Sequence, residues 1–469
     1  MTDFDLAIIG AGPAGLAAAT EATKAGLSVI LLDEQNRVGG QIYRNVEKSP
    51  VELGSILGKD YLAGKDLAAE FAKCSVTYVP NATVWQADPS GEINYSVHGS
   101  AHQISVARIL IATGAIERPT PIPGWTLPGV MMAGAGQILL KQSGVVASNA
   151  VLAGSGPLLY LIAAQMVHAG TPPLALVETQ APSDFLKAQK HLAGALFGWR
   201  YLAKGLGLIN ELRKAGVKRY RGAKDLYAEG EAYVEALTFT HNGQTVRLEC
   251  ETLYLHMGVV PNTQLGRSMG LDHRWDQAQQ YFSPVCDAWG RSSEEQVLIA
   301  GDGGGIGGAK AAELSGRLAA IKTANDLGKL QDGDFALLSR HLRKMKRQEL
   351  AIRPFLDAAY PPAEEVLAPS DATVVCRCEE VTAGDIRKYA KMGCDGPNQT
   401  KAYGRSGMGP CQGRYCGLTV SSLLAKSNNR SMDDTGYYRI RAPVKPITLG
   451  ELASLVETGG AGKEGMDLG

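Results

Sequence analysis

The limits on this 469-residue chain are set first by what it has little of. Only eight cysteines occur, too few for a disulfide scaffold at this length. Neither charge dominates: 47 Lys and Arg stand against 47 Asp and Glu. Without a basic excess there is little to hold a phosphate backbone, which excludes a dedicated nucleic-acid binder. No apolar run of membrane-spanning length is uninterrupted. The nearest, 145–167, contains Asn149 and the turn Gly154-Ser155-Gly156-Pro157, so it reads as strand, turn and helix, and no transmembrane segment is expected. Asp3 and Asp5 precede the first apolar stretch and no cleavage site follows, so no secretory signal is expected and the expected compartment is the cytoplasm.

What is present points to a globular enzyme. At about 150 residues per domain the length suggests roughly three domains. The 56 glycines exceed ordinary usage without a collagen period, so tight backbone turns are in demand. The first is explicit. Asp5 to Ile9 is a short apolar strand, Gly10-Ala11-Gly12-Pro13-Ala14-Gly15 follows at once, and Leu16 to Lys24 has the small residues of a helix that packs closely on a sheet. A second strand, Ser28 to Leu32, ends at Asp33 and Glu34, where a carboxylate reaches the ribose of a dinucleotide. Gly10 permits the turn, Gly12 lets a pyrophosphate approach the backbone, and Gly15 allows close helix–strand contact, while the helix N-terminus supplies amide hydrogens.

Three further segments specify the nucleotide. Gly39-Gly40-Gln41 follows the acid, Ile109 to Ala115 contains Ala112-Thr113-Gly114, and Val297 to Asp302 reads Val-Leu-Ile-Ala-Gly-Asp. With these the chain resembles the two-dinucleotide-domain flavoproteins related to thioredoxin reductase. The resemblance implies FAD at this site: Gly301-Asp302 at a ribityl hydroxyl, Thr113-Gly114 at the crossing between domains, and backbone at Val84 against the adenine.

A second strand–turn–helix start runs from Asn149 through Gly154-Ser155-Gly156-Pro157-Leu158-Leu159 to a strand ending at Glu178. Leu159 replaces the third glycine and no Arg directly follows Glu178 to receive a 2′-phosphate, so productive NAD(P)H use is not expected. Ser183 to Arg221 is expected to be an extra, largely helical stretch rich in Lys, Arg, Leu and aromatics, either a partner-facing surface or, as the default reading, a solvated helical hairpin. The dithiol through which related disulfide reductases pass electrons is missing, since Cys74, Cys250 and Cys286 are isolated and read as small hydrophobes. His168 and His256 are expected to be structural.

Electrons must therefore leave elsewhere. Cys376-Arg377-Cys378 is followed after 32 residues by Cys411-Gln412-Gly413-Arg414-Tyr415-Cys416. Four thiolates in two close pairs suit a tetrahedral zinc or a 2Fe-2S cluster, and a Cys-x-Cys pair is unusual for zinc. From Val375 to Thr382 and from Lys401 to Gly417 the wording resembles domains similar to bacterioferritin-associated ferredoxin, which implies a 2Fe-2S cluster on Cys376, Cys378, Cys411 and Cys416. Cys394 is left to pack behind Ala390.

Taken whole, the chain resembles the alpha subunits of heteromeric amine dehydrogenases, such as opine oxidase, D-hydroxyproline dehydrogenase and hydrogen cyanide synthase. The expected architecture is α/β: two Rossmann-like domains of the thioredoxin or glutathione reductase type and a small C-terminal domain that binds a 2Fe-2S cluster through four cysteines. Expected boundaries are 1–140 and 271–345 for the FAD-binding domain, 141–270 for the second Rossmann-like domain, 346–370 for a linker, 371–425 for the cluster domain and 426–469 for a tail. The resemblance implies an amine-oxidase-like, FAD-containing beta subunit, a place for a small ferredoxin-like gamma subunit, and a place for FMN at a subunit interface. Competing readings are a self-sufficient NAD(P)H-dependent reductase, one part of a hydrogen cyanide synthase that oxidises glycine, and a non-catalytic scaffold with a zinc knob. No acid–base pair or Ser–His–Asp arrangement is legible.

Overall fold

The computed structural model of the protein describes residues 2–460. In its first sheet Thr77–Val79, Val29–Leu32, Phe4–Ile9, Ser100–Ile111 and Val297–Ile299 run parallel in that order. All four residues of Val29–Leu32 are buried, as a parallel sheet covered on both faces requires. The long strand Ser100–Ile111 also pairs with Glu92–Val97, and that strand with Thr83–Ala87, in an antiparallel extension. Helix Pro13–Lys24 lies so close to helix Ala309–Asp326 that a Cβ added at Gly316 would stand 2.0 Å from the Ala14 carbonyl oxygen.

The chain crosses to a second sheet through Ala115–Glu117 and returns through its antiparallel partner Val259–Pro261. That sheet is parallel throughout, in the order Lys218–Arg221, Ala175–Glu178, Ala150–Ser155, Thr252–Met257, Val130–Met132. Here the structure departs from the expected helical hairpin. Helices Pro182–Ala188, Leu192–Phe197 and Trp199–Lys214 fill most of 183–221, but Lys218–Arg221 is an edge strand, because Tyr220 finds a buried place against Phe239.

Two further segments are more ordered than expected. Within 346–370, expected as a linker, helices Arg353–Ala359 and Glu364–Leu367 bury Ile352, Ala359 and Val366. The stretch from 426, expected as a tail, supplies part of the cysteine unit's core as far as it is described: Tyr438, Ile440 and Val444 are buried, and Val444 N–H donates to the Trp85 carbonyl. Residues 461–469 of that expected tail lie outside the described residues. The cysteine unit itself is a two-strand ribbon, Val374–Cys376 with Val381–Thr382, under helices Ala383–Lys391, Pro397–Gly404 and Gly417–Ser427. Its buried Val375, Ile386, Val420 and Leu424 continue directly into the core beneath Thr83–Ala87 and Glu92–Val97. The two bodies share one hydrophobic core.

Replacing Tyr438 by Ala removes a large, fully buried ring from this core, with an expected cost of about 3–5 kcal/mol in denaturant unfolding. An unchanged midpoint would show that the residues after 426 are dispensable.

Candidate functional site

The residues singled out at the first nucleotide motif converge at one end of the first parallel sheet. Gly10 has φ +110°, and a Cβ there would meet the Ala112 carbonyl oxygen at 2.5 Å; one at Gly15 would meet the Gly10 carbonyl at 1.8 Å. Above Gly12 only the Cα of Gly40 lies within 4 Å of that position, which leaves a backbone cradle open to a phosphate. Pro13 opens the helix with Gly12 as its N-cap. Gly301 abuts Ala14, since a Cβ on it would lie 2.9 Å from the Ala14 methyl.

The two acids after the second strand separate. The Asp33 carboxylate accepts hydrogen bonds from the Ala11 and Gln35 amides, and its burial pushes its pKa up. Glu34 is half exposed and ion-paired to Lys445 at 2.6 Å, so it does not duplicate Asp33. Ala82 N–H donates to the Asp33 carbonyl, which brings the buried strand residue Val84 to the same side of the sheet. Thr113 Oγ1 reaches the Asn262 carbonyl at 3.4 Å and Asn262 N–H donates to the Gly114 carbonyl, tying both crossings together. Asp302 Oδ1 accepts from the Gly307 and Gly308 amides at 2.9 and 3.0 Å, so its carboxylate is aimed by the turn that starts helix Ala309–Asp326.

Lys141 is a site residue that no motif announced. Almost wholly buried, it donates to the Gln41 carbonyl at 3.1 Å and to Gln137 Oε1 at 2.9 Å, and burial lowers its pKa to about 7. Its only signal in the sequence is a cation on helix Ala133–Ser143, which points nowhere until the helix is docked.

At the second motif the structure supplies what periodicity could not. Leu159 lies in the core with Ile162 and Leu176. Glu178 is fully buried and saturated: Arg219 Nε and Nη2 approach it at 2.9 and 2.8 Å, Gln180 Nε2 at 2.8 Å, and Tyr160 OH also donates to it. The carboxylate at the usual ribose position is therefore occupied by protein. Tyr360 and Phe185, from the segments before the cysteine unit and after the second motif, stack edge-on over this cluster. His256 Nδ1 lies 2.5 Å from Glu117 Oε1, whose partner oxygen accepts from Gly134 N–H; His168 is exposed beside Glu211. His256 is thus buried against Glu117, whereas His168 is at the surface.

All eight cysteines are free. Cys376 and Cys416 are buried neighbours: the Cys416 thiol beside it holds Cys376 down to about 6, and Cys376 together with burial pushes Cys416 up. Cys378 adjoins Cys411. Among the described residues no three His, Cys, Asp or Glu side chains are gathered tightly enough for a single ion. The thiols stand as two neighbouring pairs, Cys376 with Cys416 and Cys378 with Cys411. The loop is shaped for close approach: a Cβ at Gly409 would strike Cys378 Cβ at 2.2 Å, and one at Gly413 the Tyr438 ring at 2.5 Å. Gln264 Nε2 donates to the Gln412 carbonyl at 2.8 Å, Trp125 Nε1 to the Val374 carbonyl at 2.7 Å, and Arg267 lies 4.2 Å from the Tyr437 ring centroid. Cys394 is buried beside Ala390.

Residues 4–316 match the pyridine nucleotide-disulphide oxidoreductase family, and residues 370–455 match the sarcosine oxidase A3 domain. Over 465 residues the chain is 43% identical to the A subunit of opine oxidase from Rhizobium meliloti, covering 97% of this chain and 88% of that one. The chain belongs to the opine oxidase A-subunit family. It is also 32% identical to the HcnB subunit of hydrogen cyanide synthase from Pseudomonas aeruginosa, covering 96% and 98% of the two chains. In fold it resembles L-proline dehydrogenase from P. horikoshii, with TM-score 0.70 and 18% identity over 96% of this chain and 79% of that one. As a member of the opine oxidase A-subunit family the protein is a flavin-dependent oxidoreductase, and its relatives are subunits of multi-subunit enzymes. No helix among the described residues is long and apolar enough to cross a membrane.

Replacing Arg219 by Leu strands Glu178 as a buried, unpaired charge, with an expected loss of about 3–5 kcal/mol in thermal or chemical unfolding. The double substitution Glu178→Leu with Arg219→Leu recovers most of it. A double variant as unstable as the single one would mean that the cluster holds the domain by shape rather than by charge.

Proposed function

We propose that this chain is the electron-transferring subunit of a heteromeric dehydrogenase, with FAD in the first nucleotide cleft and a 2Fe-2S cluster on Cys376, Cys378, Cys411 and Cys416. A partner, an amine-oxidase-like FAD-containing beta subunit, oxidises a C–N bond of a secondary amine or imino acid of the opine or D-hydroxyproline kind. FMN has its place at the interface with that partner, and a small ferredoxin-like gamma subunit completes the assembly. The 43% identity to the opine oxidase relative, against 32% to the cyanide synthase one, favours this substrate class over glycine.

The observation that supports the relay is an apolar cluster that joins the segment after Asp302 to the segment after Cys416. Tyr281 OH accepts from Ile306 N–H, four residues beyond Asp302; Tyr281 and Ile306 pack with Val260, and Leu418, two residues after Cys416, closes the same apolar cluster. When bound, FAD accepts electrons in pairs and passes them singly, and a 2Fe-2S cluster carries one at a time. The chain's own residues would cradle the pyrophosphate on Gly10–Gly15, receive the adenosine ribose at Asp33 and place Asp302 against the ribityl chain. Gly39-Gly40-Gln41 is held from behind by Lys141. Burial of Cys376 and Cys416 under Tyr438 keeps water from that side of the cysteine loop.

The chain purified anaerobically is expected to contain one FAD, two iron atoms and acid-labile sulfide. Stoichiometric zinc without sulfide would overturn the cluster assignment. Cys378→Ala or Cys411→Ala abolishes the iron and retains FAD, whereas Asp302→Ala weakens FAD retention by about 1–3 kcal/mol, read as loss of flavin on dialysis. The saturation of Glu178 supports a chain that does not draw on NADH or NADPH. In stopped flow its flavin is expected to bleach slowly or not at all with either, and amine oxidation appears only with the partner present. Bleaching at about 10 per second or faster would favour a nicotinamide-dependent reductase instead.

A further inference from the structure

One face of the molecule, used by neither proposed cofactor site, has an unusual combination of charge and apolarity. Residues 340–347 on helix Asp332–Leu350 contain five Lys and Arg and no acid. Arg343, Lys346 and Arg347 line an open cleft of about 390 Å³ floored by Leu318 and Leu350. None of the three meets a carboxylate among the described residues: Arg343 lies over the Trp289 ring, and Lys346 is partly buried, with its pKa lowered by that burial. Arg343 and Arg347 are exposed and Lys346 half-buried, so the three cations give this wall of the cleft an uncompensated positive charge.

The end of this cleft at Ala351 abuts the helical insertion. A Cβ at Gly194 would meet the Ala351 carbonyl at 2.6 Å, one at Gly198 would meet Ile352 Cβ at 2.8 Å, and Arg200 pairs with Glu349. From that junction the insertion exposes Leu196 at 66%, Phe197 at 73%, Trp199 at 62% and Leu206 at 68% of their surfaces. The same 182–214 stretch has six Lys and Arg against two acids, in a chain whose overall charge is zero. Within the insertion Lys187, Arg200 and Lys204 are ion-paired, so the cations without a carboxylate partner are those of the adjoining cleft; with the exposed apolar side chains they match the two requirements of an interfacial surface, an apolar face for the acyl boundary and positive charge for anionic headgroups.

We propose that helices Leu192–Phe197, Trp199–Lys214 and the basic end of Asp332–Leu350 form a docking face for an anionic lipid surface, with a phosphate headgroup seated among Arg343, Lys346 and Arg347. The charge decides for lipid over a second copy of the chain, because two such faces would repel each other. This inference does not rest on the cofactor content proposed above.

Cosedimentation tests it, with the purified chain and with the assembled complex, on phosphatidylcholine vesicles with and without phosphatidylglycerol. Binding is expected only with phosphatidylglycerol and is expected to fall steeply with salt. The triple variant Arg343→Gln, Lys346→Gln, Arg347→Gln should lower the partition coefficient about 100-fold, at roughly a tenfold or smaller step per charge. Phe197→Ser with Trp199→Ser should also weaken it, with unchanged melting temperature and flavin content. Brominated lipid should quench tryptophan fluorescence in the parent and markedly less in Trp199→Phe, which keeps Trp289 beside Arg343. Equal binding to both vesicle types, or none by the folded chain, overturns the proposal. Binding by the isolated chain that disappears in the assembled complex assigns the face to the partner protein and also overturns it.

Discussion

The flavoprotein body depends on one close contact: the first turn of helix Pro13–Lys24 pressed against backbone on every side. Gly15 touches the Gly10 carbonyl, Gly10 touches Ala112, Gly301 touches Ala14, and Gly316 of the partnering helix touches the Ala14 carbonyl. Each is an approach that a single methyl would block. The order of the parallel strands, the direction of the helix N-terminus and the position of Asp302 all follow from it, since Val297–Ile299 can join the sheet only where helix Ala309–Asp326 finds room to lie. Arg317 then fastens the assembly from outside by bridging Glu21 and Glu70, both at 2.8 Å.

The second Rossmann-like unit has the same topology and a different internal chemistry. Where the first leaves Asp33 satisfied by two backbone amides at the edge of an open cradle, the second surrounds Glu178 with Arg219, Gln180 and Tyr160 and covers the group with aromatic rings. A buried carboxylate so completely paired is costly to free for a ligand hydroxyl. The same unit offers Trp125 to the cysteine ribbon and Thr252–Met257 to the crossing that returns the chain to the first sheet.

The cysteine unit is joined to this platform by packing and not by a tether. Its ribbon and helices continue the core of the antiparallel extension, Gln264 and Trp125 hydrogen-bond its backbone, and the residues beyond 426 wrap back to close it with Tyr437 and Tyr438. Rigid attachment matters for electron transfer, because the rate depends on a separation that a flexible linker would not hold. The apolar contact of Ile306, Val260 and Leu418 is one of the places where the cysteine unit meets the flavoprotein body.

Much of this was legible in the residues. The glycine turn with its strand, helix and terminal acid specified the first nucleotide fold, and the four-cysteine spacing marked a separate unit, because both are local patterns in which backbone geometry demands particular residues at particular intervals. Other features depended on partners distant in sequence. That Arg219 neutralises Glu178 follows from the pairing of Lys218–Arg221 with Ala175–Glu178, a neighbour relation that the intervening helices conceal. That Lys141 backs Gln41, that 346–370 is helical, and that Tyr438 covers Cys416 likewise required the docked elements to be seen. The sequence by itself determined which turns could form and which side chains could bind. Tertiary packing decided which of those side chains were left free to do so, because burial and pairing depend on what the rest of the chain brings alongside.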